Sequence, residues 1–328
     1  MGLRAVIFVI GVLAAVVGAT RACSGGRTSP DAEAAPETAA APRPEGAEAV
    51  SLMGTPLVPP QQSDSVRAAL EANLARAQAG YERAPENADS IIWLGRRLAY
   101  LGRYRDAIET FTKGLALHPE DARLYRHRGH RYITVREFDL AIADLSRAAD
   151  LVRGKPDEVE PDGAPNPANI PTSTLQSNIF YHLALAHYLK GDFARALPVW
   201  QECLTVSKND DMLVATTDWL YMTLRRLGRD AEAAEVLAPI HADMRILENE
   251  AYHRRLLMYR GELPPDSLIR MESEDPVQLA TYGYGVANYF LYNGEPQRAD
   301  SLFRRILALP NWAAFGYIAA EAEIHRRG

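Results

Sequence analysis

Eight consecutive residues, Tyr125-Arg126-His127-Arg128-Gly129-His130-Arg131-Tyr132, put three arginines and two histidines into the space of two helical turns. Guanidinium groups fork onto carboxylate or phosphate, and imidazoles titrate near neutrality or ligate metals, so this string is where chemistry is sought first. Like charges three and four residues apart repel along a helix. Something acidic must therefore lie opposite. The candidate within the chain is the stretch Gly154 to Thr172, which carries Asp157, Glu158, Glu160 and Asp162 and is expected to fold back over the helix. The external candidates are an acidic peptide tail or an anionic ligand, and the internal partner is the favoured one.

Metal and catalytic readings of the same residues are weak. His127 and His130 are three apart and His182 lies further on, but no carboxylate has the companion spacing and no HExxH string occurs. His182 and His187 are five apart, about 140° around a helix, so they do not share a face. The chain has no GxSxG, GxxxxGK[ST] or GxGxxG string, and Asp157 to Asn166 matches a calcium loop in composition but not in spacing. No catalytic residue, metal ligand or cofactor is expected, and the balance points away from an enzyme.

The elements that would position these residues follow from composition. Of 328 residues 47% are apolar and 24% charged, an ordinary globular mixture, and 36 Lys and Arg against 42 Asp and Glu leave a net charge of −6. There is no global basic field, so nucleic acid is not an expected partner. Two cysteines cannot staple the fold, which leaves apolar packing to hold it.

Residues 1–22 read as an export signal or amino-terminal anchor. Arg4 precedes an uncharged apolar run from Ala5 to Ala19, short for a span of about 20 residues but suited to a signal peptide. Ala22-Cys23 resembles a bacterial lipobox, with Thr20 and Arg21 departing from its usual residues. That resemblance implies lipidation of Cys23. Three states stay open: a lipoprotein, a protein released after Ala22, and an uncleaved anchor. Residues 23–63 are rich in Ala, Pro and Glu and are expected to form a disordered tether, with Leu52-Met53 and Leu57-Val58 as the part able to dock on the folded body.

Twelve of the 21 prolines lie in the tether and between Pro156 and Pro171, which frees residues 64–328 to be helical outside the 154–172 insertion. There a 34-residue period appears. Pro85-Glu86-Asn87-Ala88 recurs as Pro119-Glu120-Asp121-Ala122, with Leu94-Gly95, Gly102, Tyr104, Ala107, Phe111 and Gly114 between. This pattern resembles the tetratricopeptide repeat (TPR). Further copies are Gly129, Phe138, Ala141 and Leu145; then Phe180, Ala184, Gly191, Ala196, Trp200 and Cys203. Decayed copies surround Gly228 and Gly294, and Ile246 to Arg260 makes a degenerate one. The expected fold class is all-α: a right-handed TPR-like helical solenoid of about five to six helix pairs, preceded by the tether and closed by a capping helix over Asn311 to Ile324. Cys203 occupies a small-residue packing position.

The resemblance implies a concave groove lined by the first helix of each pair. In this register the lining residues are Arg96, Tyr100, Arg126, His130, Asn178, Tyr181, Tyr188, Arg225, Arg226, Tyr284 and Asn288, a basic and aromatic set of the kind enriched at binding hot spots. Ile92 and Arg96 stand where chaperone-tail clamps carry Lys and Asn, which argues against that ligand. The expected function is a non-enzymatic scaffold in the bacterial cell envelope, facing the periplasm and tethered to the membrane, that binds a protein or peptide segment, acidic in character, in the groove. Self-association is a further option. The alternative is an anion-binding site, metal site or enzyme centred on 125–132 with the insertion as lid.

Overall fold

In the computed structural model, residues 44–269 and 276–328 are described. The expected signal, Cys23 and the tether up to residue 43 lie outside them. The 34-residue interval has a local cause. Asn87 and Asp121 are helix N-caps whose side chains accept from Ser90 N and Arg123 N, so each copy of the Pro-Glu-Asn/Asp string starts a helix. Asn87 opens α2 (Ala88–Tyr100) and Asp121 opens α4 (Ala122–Thr134). Gly102 then reverses the chain with φ of +79°, and Arg103 N donates to Leu98 O as the helix end closes.

These signals repeat through the array. After α1 (Asp64–Arg83), α2 pairs with α3 (Tyr104–Leu117) and α4 with α5 (Phe138–Val152). Four further pairs follow: α6 (Leu175–Leu189) with α7 (Phe193–Val206), α8 (Asp210–Arg226) with α9 (Asp230–Glu235), α10 (Glu250–Tyr259) with α11 (Pro265–Ile269), and α12 (Pro276–Tyr292) with α13 (Pro296–Leu307). α14 (Phe315–Arg327) packs on α12 and α13 as a terminal helix. Among the described residues no helix is long and apolar enough to cross a membrane.

Small residues set the spacing within pairs. A Cβ on Gly95 would lie 2.4 Å from a ring carbon of Phe111, and one on Gly129 would lie 2.7 Å from Leu145 Cγ. Ala107, Ala141, Ala148 and Ala196 are wholly buried, and Cys203 is buried at the next such position. Burial pushes the Cys203 thiol up to about 12, so it packs rather than reacts. The described body is an all-helical array of packed helix pairs that follows the repeat read from the sequence.

Two parts differ from expectation. Residues 44–63, assigned by composition to a disordered tether, include an antiparallel pairing of β1 (Ala49–Val50) with β2 (Pro56–Leu57). The hairpin is anchored because its backbone finds partners on the body. Arg105 N donates to Glu48 Oε2 (2.8 Å), Leu52 N to Glu321 Oε1 (2.6 Å), and Trp312 Nε1 to Val58 O (2.6 Å), while Ala49 and Leu57 are buried. The second difference is α14, which does more than cap the end. Glu321 pairs with Arg136 at 2.7 Å and Glu323 with Arg226 at 2.6 Å, both carboxylates wholly buried, and Arg326 Nη1 donates to Leu189 O. The last helix thus joins the second, third and fourth pairs as well as its own neighbours.

Candidate functional site

Each charge in the Arg/His string of α4 finds its own surroundings. Arg128 points to α5 and makes two hydrogen bonds to Asp144, at 2.7 and 2.8 Å. Arg123, one turn earlier, bridges Asp121 and Asp89. Arg126 turns the other way and meets Glu160 of the 154–172 strap, Nε to Oε2 3.0 Å, with both side chains buried. The strap therefore supplies the acidic partner expected of it. Its course is fixed at several points: Glu160 N donates to Ser173 O, Leu175 N to Glu158 O, and Arg97 Nη1 to Gly163 O, while Asn209 Nδ2 donates to Thr172 O.

Around Glu160 the strap, α2, α4 and α6 form a cleft. One cavity of about 110 Å³ is lined by Arg96, Tyr100, Arg126, His127, His130 and Arg131 together with Glu160. A second, of about 240 Å³, shares Arg96, His127 and Glu160 with it. Asn178 Nδ2 donates to Glu160 Oε2 at 3.1 Å. Arg126 Nη1 donates to His127 Nδ1 at 3.1 Å, which places the imidazole proton on Nε2, 3.8 Å from Glu160 Oε1. His182 Nδ1 donates to Asn178 O, and its ring lies 4.3 Å from that of His130.

Positive charge is in excess here. Arg96 stacks over Trp93 at 4.5 Å and Arg131 over Tyr104 at 5.7 Å; neither makes a close ion pair with a carboxylate among the described residues, Asp162 acting on Arg96 at longer range. Burial, reinforced by Arg126 and Arg96, pushes Arg131 down to about 10. His127, His130 and His182 are held well below the usual histidine value by burial first and by the neighbouring arginines second, so all three are neutral at pH 7. The Arg126 to Glu160 contact is close but misaligned, leaving Nε without a hydrogen bond. Asp162, next along the strap, has its pKa raised by burial, and its Oδ2 has no partner.

Five of the residues assigned to the groove, Arg96, Tyr100, Arg126, His130 and Asn178, do converge on this cleft. The others do not, and an open groove running the length of the array is corrected accordingly. Tyr188 is wholly buried and accepts from Tyr284 Oη (2.7 Å) and Asn288 Nδ2 (2.8 Å), both also buried. Tyr181 is buried with its hydroxyl 3.1 Å from that of Tyr252. Arg226 is committed to Glu323, and Arg225 to Asp230 and the face of Tyr292. The cause is tertiary: α12 packs against α8, and α14 against α6, so the surfaces that would line the groove cover one another.

Arg131 and His127 are not in the groove set, but both lie in the 125–132 string on which the alternative anion site is centred. Sequence reasoning missed Arg136, whose signal is its register: it stands 34 residues after Gly102, where the other turns carry glycine. Among the described residues no group of three or more His, Cys, Asp and Glu is placed to hold a metal ion.

No family model matches the chain. The BBSome complex member BBS4 of Bos taurus is 26% identical over 141 residues, which are 43% of this chain and 23% of that protein. The chain thus spans less than a quarter of that relative's length. Among solved structures the chain is similar to YrrB, described as a TPR protein with an unusual peptide-binding site, at 16% identity over 76% of this chain and 97% of that one, with a TM-score of 0.41. It is similar also to a tetratricopeptide repeat protein from Parabacteroides merdae, at 15% identity over 78% and 93% of the two chains and a TM-score of 0.46.

Proposed function

We propose that this protein is a non-enzymatic binding scaffold, exported and held at a membrane by its amino terminus, whose recognition site is the basic cleft between α2, α4 and the strap. The observation that carries the reading is the charge count. Three guanidinium groups and three neutral imidazoles lie around one paired carboxylate, in the part of the predicted groove that remains open. An acidic segment of a partner protein would supply the missing charge, and Tyr100 would add contact area with few rotamers to freeze. The export half of the proposal rests on residues 1–23 of the sequence alone.

Site-directed crosslinking at the cleft in wild type and Arg96→Glu tests the scaffold. Partners lost on charge reversal support it, and identical crosslinked species from both proteins would count against it. Mass spectrometry of the mature amino terminus, with membrane fractionation, tests export; an intact Met1 on a cytoplasmic protein would overturn it.

A further inference from the structure

We infer that the cavity lined by Arg96, Arg126, Arg131, His127 and His130 is a site for a doubly charged oxyanion of phosphate type, and that Glu160 is a built-in stand-in for that anion. The inference deepens the reading of this cleft as the recognition site. Arg126 is buried and Arg96 and Arg131 are partly exposed beside it, so three cations line one small cavity and leave it with a positive charge that an anion would neutralise. Glu160 balances one of them. Its carboxylate meets Arg126 at 3.0 Å without hydrogen-bond alignment and reaches neither Arg96 nor Arg131. With Asp162 of the strap also acting on Arg96, two carboxylates still face three guanidinium groups, and Glu160 fails on geometry.

A phosphate-type dianion meets both needs. It brings two charges and oxygens in several directions, which suit guanidinium forks arriving from two helices. His127 adds a donor, since its proton is on Nε2 and turned toward Glu160. The inner cavity of about 110 Å³ has room for such a group, being the space of roughly three to four waters. Glu160 also lines the outer cavity of about 240 Å³, so its carboxylate can swing out while the strap stays anchored through Gly163 and the Glu158 and Ser173 backbone bonds. Binding is then an exchange of one internal carboxylate for one external dianion, and Glu160 lowers the apparent affinity by the fraction of time it fills the site.

Calorimetric titration and thermal melts of the full chain with inorganic phosphate, glycerol 3-phosphate and acetate decide the matter. Phosphate should bind and raise the melting midpoint, and acetate should do neither. Equal binding of glycerol 3-phosphate assigns the site to monoester headgroups, and its rejection assigns it to the free anion. Glu160→Gln should bind phosphate about tenfold more tightly or better, and Arg131→Gln about tenfold more weakly. Without anion, Arg131→Gln should melt no lower than wild type, because a like-charge repulsion has been relieved. Should Glu160→Gln not fold, Arg131→Gln carries the test alone. Phosphate binding that is absent in wild type, or unchanged in Arg131→Gln, overturns the site. Crosslinked partners that persist without any phosphate binding overturn the anion and leave the scaffold standing. Phosphate binding with no partner lost in Arg96→Glu does the reverse.

Discussion

Arg136 occupies the left-handed turn, φ of +68°, that Gly102, Gly191, Gly228, Gly261 and Gly294 fill in the other pairs. An arginine there costs about 1–2 kcal/mol of backbone strain. The structure keeps it because its guanidinium reaches Glu321, Trp312 O and Thr134 O and stacks 5.3 Å over the Trp312 ring. Arg136→Gly relieves the strain but strands a buried carboxylate, a loss of about 3–5 kcal/mol, so a net destabilisation of about 1–4 kcal/mol is expected in urea unfolding. Adding Glu321→Gln should recover part of that loss, and no recovery would refute the pairing as its cause. The cleft imidazoles make a second residue-scale prediction. Their folded values lie below the unfolded value of about 6.5, so the unfolded chain takes up protons first on acidification. Stability from them is complete above about pH 6.5 and falls below it, by about 1.4 kcal/mol per pH unit for each imidazole until its folded value is reached. Asp218 acts in the opposite sense: burial, only partly offset by Arg255, lifts it to about 7, so its contribution is lost as pH rises from about 4 toward 7. His182→Gln should flatten the acid slope of the unfolding midpoint, and a slope equal to wild type would contradict neutral burial of His182.

The helix pair is the unit in which the sequence was most readable. Asn87, Asp121, Gly95, Gly102 and Phe111 act on neighbours within one repeat, so their residue types carry the geometry directly. Gly95→Ala tests this at its tightest point. Its new Cβ would overlap the Phe111 ring, and a loss of about 1–3 kcal/mol is expected from denaturant melts of the variant. A variant as stable as wild type would mean that the ring moves aside without cost. The strap was half legible. Its acidic residues opposite an arginine-rich helix indicated a fold-back, but nothing in its composition distinguished Glu160, which enters the cleft, from Asp157, which caps Glu158 N and Gln176 N at the surface.

At the scale of the molecule, contacts between residues far apart in the chain change how the array should unfold. A linear repeat array has only nearest-neighbour interfaces and melts as a set of coupled units. Here Glu321 binds both Leu52 N and Arg136, which ties the amino-terminal hairpin, the second pair and the last helix into one node. Glu321→Gln should therefore raise amide exchange in residues 49–58 and 315–327 together, and exchange confined to α14 would show that the node does not couple them. The sequence by itself determined the repeat, its caps and turns, the buried cysteine and the demand for an acidic partner, because each follows from neighbours within about one repeat. Only the tertiary structure decided which groove residues meet solvent. Tyr188, Tyr284 and Asn288 carry polar groups that water or one another can satisfy equally well, and the packing of α12 and α14 against the inner helices gives them one another. The same packing left Arg96, Tyr100, Arg126 and His130 beside an open cavity.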